Sequence, residues 1–187
     1  MVHYTKLSNR ELHSRYDNMI QRCYDKKWQA KNGSCYTGVT VCDEWLHDKY
    51  NTYFPFIQAN FYEVGEHQMD IDHNIIDPTN TVYCPDKVLI VPHFVNVAWA
   101  NLEVGKNQIA FNPKTETYNV RIYDRGEIIT TACPTYNEAL DAFCTIKQGI
   151  VYEMAESLKE EVPEKVYAAM ISTDVRKINE HHYNMAA

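Results

Sequence analysis

Residues 69–102 constrain the fold of this chain more than any other stretch. Met69-Asp70-Ile71-Asp72 alternates apolar and acidic side chains, and His73 follows at once. A period of two marks a half-buried strand. Asp77-Pro78-Thr79-Asn80 supplies turn residues, and Val88-Leu89-Ile90-Val91 is a second apolar run. Pro92 suits the opening of a helix, and Gly105 suits its end. The predicted order is strand, turn, strand, helix. It brings a carboxylate (Asp72), an imidazole (His73) and an amide (Asn96) within reach of convergence.

Helical periodicity organises the chain before this unit. Ser8-Asn9-Arg10-Glu11 is a capping box, and Leu12, Tyr16, Met19, Ile20 and Cys23 follow at helical spacing. A first helix is therefore predicted over about 9–24. Arg10, Arg15 and Arg22 lie off its apolar stripe, where they can face a phosphate backbone or simply solvent. A turn is expected over 32–34, a short strand at 40–42, and a second helix from Asp43 bearing Trp45, Leu46 and Tyr50. Pro55 is expected to interrupt the aromatic core segment Tyr53–Ile57.

After residue 106 the pattern changes. Gln108–Phe111 is strand-like, and residues 117–123 alternate as a half-exposed strand. Asp124-Arg125-Gly126 makes a hairpin turn into Glu127–Thr131. Thr135-Tyr136-Asn137-Glu138 is a second capping box. The helix behind it buries Ala139, Ala142, Phe143, Ile146 and Ile150 and continues to about Leu158. Pro163 opens a further short helix. The tail Asn179–Tyr183 is expected to fray, with His181 and His182 in a mobile segment rather than acting as ligands.

Composition limits the functional classes. With 187 residues and 45% hydrophobic side chains, the chain can bury a core as one domain or two. No run reaches membrane-helix length, and the first residues lack a signal-peptide apolar core, so a soluble intracellular protein is expected. The six cysteines include no Cys-x-x-Cys and are expected as free thiols; Cys23, Cys35, Cys42 and Cys84 are poorly spaced for zinc. The net charge of −7 works against phosphate contacts, but it is unevenly spread: residues 61–100 hold one basic and six acidic side chains. That local surplus is where a metal site would draw on it.

The residue types around Asp72 fit phosphodiester hydrolysis. Such a reaction needs an activated water, neutralised phosphate charge and a supported leaving oxygen. Mg²⁺ prefers oxygen ligands and keeps several waters, so one carboxylate and one amide oxygen suffice. His73 has an ordinary pKa near neutrality and can act as base. Asp70 alternates with Asp72, and His93 follows Pro92; both are accessory candidates. In the second half, Lys106, Lys114, Arg121 and Arg125 are the basic supply. Arg121 shares a strand face with Asn119 and Tyr123.

Asp72-His73, the Lys87-Val88-Leu89 strand and Asn96, 24 positions after Asp72, resemble the HNH (ββα-metal) nuclease motif. Met19–Tyr24, Val41–Leu46 and Asn80–Pro85 look like phage-encoded HNH endonucleases. Residues 106–170 are similar to the small ethylene-response-factor-type (Apetala-like) DNA-binding domain that accompanies them. The resemblance implies an α+β fold: a ββα-metal unit with N-terminal helices over 1–104, then a three-stranded antiparallel sheet packed on a helix over 105–187. It implies His73 as general base, Asp72 and Asn96 as ligands to Mg²⁺ or another divalent cation such as Mn²⁺, and double-stranded DNA as substrate. Asn119, Arg121, Tyr123 and Arg125 would face that DNA, in the cytoplasm of an infected bacterial host. The sequence departs from the pattern at Lys87, where the family has an Asn that pins the metal loop. A Lys there can contact phosphate or mark lost catalysis. The alternative is therefore an inactive HNH-fold accessory protein that binds a host protein, for example to inhibit a defence nuclease, or binds DNA without cutting.

Overall fold

The computed structural model describes residues 1–32, 36–105 and 107–185. Of the turn expected over 32–34, Asn32 is helical, and Gly33 and Ser34, together with Cys35 and Lys106, lie outside the described residues. Helices and small sheets alternate along the chain, an α+β arrangement, and the contacts divide it into two compact units. The first is Met1–His93 with Glu160–Val166, and the second is Phe94–Lys159 with the chain from Tyr167 onward. The sequence reading sets its boundary after residue 104; the contact division falls after His93.

In the first unit, β1 (His3–Tyr4) leads to α1 (Asn9–Tyr24), α2 (Lys26–Asn32), β2 (Thr40–Val41) and α3 (Asp43–His47). Then come α4 (Tyr53–Asn60), β3 (Tyr62–Glu63), β4 (Met69–Asp72), β5 (Val82–Tyr83) and β6 (Leu89–Pro92). The capping box at Ser8 and Glu11 closes reciprocally: the Ser8 hydroxyl accepts from the Glu11 amide, and the Ser8 amide donates to Glu11 Oε2 at 2.8 Å. Such a cap stabilises a helix start by about 1 kcal/mol. The apolar stripe of α1 buries Leu12, Tyr16, Met19 and Cys23. Tyr16 meets Tyr53 edge-on at 5.2 Å, and Tyr53 meets Trp45 at 5.0 Å.

Pro55 does not break this aromatic segment as expected. It occupies the first turn of α4, where its missing N–H is tolerated and its fixed φ suits the helix. Strands β1 and β3 pair antiparallel, β2 and β5 parallel. Strands β4 and β6 pair antiparallel, with Met69 opposite Pro92 and Asp72 opposite Leu89. Arg15 on α1 donates to the Met69 carbonyl at 2.6 Å and fixes the helix to the start of β4.

Helix α5 (His93–Trp99) follows β6 without a loop, and the unit boundary falls after its first residue. It stops six residues short of Gly105. The Asn101 side-chain amide donates back to the Val97 carbonyl at 2.7 Å, and the Leu102 amide turns to the Trp99 carbonyl, closing the helix early.

The second unit continues with β7 (Ile109–Asn112), β8 (Thr117–Asp124), β9 (Glu127–Cys133) and α6 (Tyr136–Leu158). The three strands form an antiparallel sheet in the order β7-β8-β9. Arg125 and Gly126 make the two-residue hairpin loop with φ of 46° and 90°, both positive, as a type I′ turn requires. Val120 and Ile122 are buried on one face of β8, while α6 buries Ala139, Leu140, Phe143 and Val151 and packs on that strand. Each of these Val, Ile, Leu and Phe side chains contributes roughly 1.5–3 kcal/mol.

Helices α7 (Glu164–Ile171), α8 (Val175–Ile178) and α9 (Glu180–Met185) complete the chain. The expected frayed tail is instead helical. Asp174 caps α8, accepting from the Lys177 amide at 3.0 Å, and Asn179 is fully buried. No helix among the described residues is long and apolar enough to cross a membrane.

Candidate functional site

Asp72 ends β4, and its side chain closes the turn that follows. One carboxylate oxygen, Oδ1, accepts from the Asn74 amide at 2.8 Å and the Ile75 amide at 2.7 Å. Oriented to donate, the Asn74 side-chain amide reaches Oδ2 at 3.0 Å. Asp72 is 5% exposed. Burial pushes its pKa above the ordinary carboxylate range, and the two turn amides pull against that rise. The backbone therefore spends one oxygen, and a side-chain amide holds the other.

His73 is half-buried between two tyrosines. Its ring centroid lies 4.7 Å from that of Tyr83 and 6.2 Å from that of Tyr36. Burial lowers its pKa to about 4, and the charge of Arg22 adds to the effect. The imidazole is neutral at neutral pH, the state from which a base accepts a proton. Asn80 fixes the backbone at this point: its side-chain amide donates to the carbonyls of His73 and Val82, and its oxygen accepts from the Val82 amide at 3.2 Å. Asn80 itself is buried. Pinning of the loop thus falls to Asn80, while Lys87 lies exposed in the turn before β6.

Beside this turn a groove of about 420 Å³ runs between the polar face of α1 and β4. Its lining includes Arg15, Asn18, Arg22, Trp28, Gln68 and Asp70. The Arg22 guanidinium lies over the Tyr36 ring at 5.4 Å and donates to its hydroxyl at 3.4 Å, while its Nε is buried without a hydrogen-bond partner. Arg22 therefore borders the groove and also acts electrostatically on Asp72 and His73.

Asp70 also lines the groove, and His93 at the start of α5 pairs with it, Nδ1 to Oδ2 at 2.7 Å. The Asp70 side chain is mostly buried and that of His93 is about half-exposed. The two accessory candidates from the sequence are thus joined directly, because the β4–β6 register places Asp70 opposite Val91, two residues before His93. Asn96 lies on α5, half-buried, in the second unit.

In the second unit, Asn119, Arg121 and Tyr123 alternate along β8 and are all exposed, opposite buried Val120 and Ile122. Arg125 occupies the hairpin turn and pairs with Asp124 at 3.8 Å and Glu153 at 3.5 Å, so acidic neighbours partly neutralise its charge. A separate cluster in the same unit brings one ligand atom each of Glu103, His181 and His182 within 4.8 Å of one another.

In the sequence alone Arg22 stands only on a possible phosphate-facing flank and Asn80 only in a turn, and nothing gives Tyr36 or Tyr83 a role. One signal was available. Arg15, Asn18 and Arg22 recur at i, i+3 and i+7, which puts them on one helix face. Compared with protein-family models, with curated proteins and with solved structures, the chain finds no match.

Proposed function

We propose that this chain is a divalent-metal-dependent DNA endonuclease of the HNH (ββα-metal) kind, as phages encode, acting in the cytoplasm of an infected bacterium. The observation that carries the reading is the antiparallel pair β4–β6 running straight into α5, bearing both Asp72-His73 and the Asp70–His93 pair beside an arginine-lined groove. In this reading Arg15 and Arg22 hold phosphate oxygens, for which a guanidinium is suited. His73, neutral and fixed through its own carbonyl by Asn80, takes the proton from the attacking water. The Asp70–His93 pair orients groups at the groove rim.

The donor set suits a hard cation. Asp72 Oδ2 is free of the two backbone donors and meets the neutral Asn74 side-chain amide. Asp72, with Asn96 by resemblance, would hold Mg²⁺ or Mn²⁺. Such an ion supplies Lewis-acid stabilisation of the phosphate and of the leaving oxygen. The exposed face of Asn119, Arg121 and Tyr123 would contact the duplex, with Arg125 at its end.

The test is nicking of supercoiled plasmid with Mg²⁺ or Mn²⁺. Wild type is expected to cut, and Asp72→Ala and His73→Ala to lose at least a hundredfold, as removal of a base or metal ligand does. If wild type cuts no better than these variants, catalysis is excluded.

One observation favours a second reading, a non-cleaving relative that binds DNA or a host protein. Asp72 is buried and serves as a turn cap, a role that needs no metal. A salt-dependent gel shift without cleavage would select the DNA-binding form of it.

A further inference from the structure

Two histidines at adjacent positions of a helix ordinarily diverge, since successive residues are turned by about 100°. His181 and His182 on α9 do not: their rings lie 4.0 Å apart, tilted by 38°. Both present Nε2 to one oxygen of Glu103, at 3.0 Å from His181 and 3.4 Å from His182. The His182 Nε2 is shielded from solvent and has no hydrogen-bond partner.

A pair of ordinary ion bridges explains this poorly. Two imidazolium rings stacked at 4.0 Å would repel each other while sharing one carboxylate oxygen. A neutral His182 leaves a buried nitrogen lone pair or N–H unmatched. A tetrahedral metal with ligands at about 2.0–2.1 Å places its ligand atoms about 3.3 Å apart along each edge. The observed separations of 3.0 and 3.4 Å bracket that edge.

The position of Glu103 is also built. Asn179, fully buried, donates to the Leu102 carbonyl at 2.9 Å and accepts from the Val104 amide at 2.8 Å, clasping the backbone on both sides of Glu103. Outer partners that orient ligands in this way are a regular part of metal sites.

We propose that Glu103, His181 and His182 form a site for a transition-metal dication of the zinc type, with a fourth position open to water or a further ligand. Two imidazoles and one carboxylate select Zn²⁺, Co²⁺, Ni²⁺ or Cu²⁺ over Mg²⁺, so the site differs in metal preference from the one built on Asp72. It joins the segment after α5 to α9 within the second unit.

The experiment is a Zn²⁺ titration by calorimetry on the full chain without a histidine tag, with Co²⁺ substitution read by absorption. One equivalent is expected to bind. Binding should weaken about a hundredfold or more in Glu103→Gln and in His182→Ala, whose folds are checked by circular dichroism. Bound Co²⁺ should show d–d bands without a thiolate charge-transfer band, because Cys23, Cys42, Cys84, Cys133 and Cys144 take no part. Absence of binding by wild type, unchanged binding in both variants, or a thiolate band on the bound Co²⁺ would each overturn the assignment. Plasmid nicking does not enter into the result.

Discussion

The side-chain amide of Asn80 donates to the main-chain carbonyl of His73, seven residues earlier, while the same side chain brackets Val82. The connection between β4 and β5 is thereby drawn closed next to the candidate base. Asn80→Ala leaves the Val82 amide and two part-buried carbonyls without their partner. The expected loss is roughly 1–3 kcal/mol of stability, read by urea unfolding. Asn80→Asp should not rescue it, because a carboxylate cannot donate to the two carbonyls.

Arg22 borders the groove, and its guanidinium rests on Tyr36. Arg22→Met keeps the apolar stem but removes the charge. If the groove holds nucleic-acid phosphates, affinity for duplex DNA should fall and the slope of log affinity against log salt should lose about one unit. Arg22→Lys should restore the charge but only part of the affinity, since an ammonium cannot reproduce the fork. Equal affinities and equal slopes for all three proteins would remove the groove from the binding surface.

Asp72→Asn separates turn capping from ligation. An Asn oxygen can still accept from the Asn74 and Ile75 amides, so thermal stability should stay within about 1 kcal/mol of wild type. Metal-dependent cutting should nevertheless be lost. A variant equally stable and equally active would show that the carboxylate is only a cap.

Lys147 is a buried amine on the inner side of α6, 6% exposed. Burial lowers its pKa, and Asp124 offsets part of that effect. Because the folded value lies below the unfolded one, the unfolded chain binds this proton more tightly. The residue therefore costs stability at neutral pH, and that cost fades as pH rises from the lowered value towards the ordinary lysine value of about 10.4. Lys147→Met should raise the melting temperature at pH 7, with the difference from wild type shrinking in alkaline buffer. Scanning calorimetry at several pH values measures both.

Asn179→Ala should cost roughly 2–4 kcal/mol, because it unpairs the Leu102 carbonyl and the Val104 amide together. The same change should weaken zinc binding at Glu103 without removing any ligand.

Local chemistry was legible in the sequence where it is also decisive. Ser8-x-x-Glu11 and Thr135-x-x-Glu138 both form reciprocal capping boxes, and α1 and α6 run over the expected residues. The alternation in β8 placed Asn119, Arg121 and Tyr123 on one exposed face, since a period of two leaves little choice once Val120 and Ile122 are buried. What escaped depends on partners far along the chain. The closing of Asn80 on His73, of His93 on Asp70 and of Asn179 on Leu102 follows from strand register and packing rather than from any local pattern. Pro55 misled because a proline in an aromatic run reads as a break, whereas in a first helical turn it costs nothing. The expected frayed tail misled because tails usually fray, whereas the buried Asn179 and the Tyr183 hydroxyl, which donates to Asp141 at 2.6 Å, anchor this one.

That anchor also bears on the order in which the protein can be made. Asn179 closes on Leu102, a residue 77 positions earlier, and the α8 start at Val175 is tied to Gln148. A growing chain that has released β7, β8, β9 and α6 from the ribosome can pair its sheet on its helix. The backbone around Glu103 must wait for Asn179 to emerge. At about 5–20 residues per second, the stretch from Leu158, the end of α6, to Asn179 takes roughly 1–4 seconds. During that time the nascent second unit has its hairpin but lacks its clasp, and a nascent-chain pulling or proteolysis assay should register the delay.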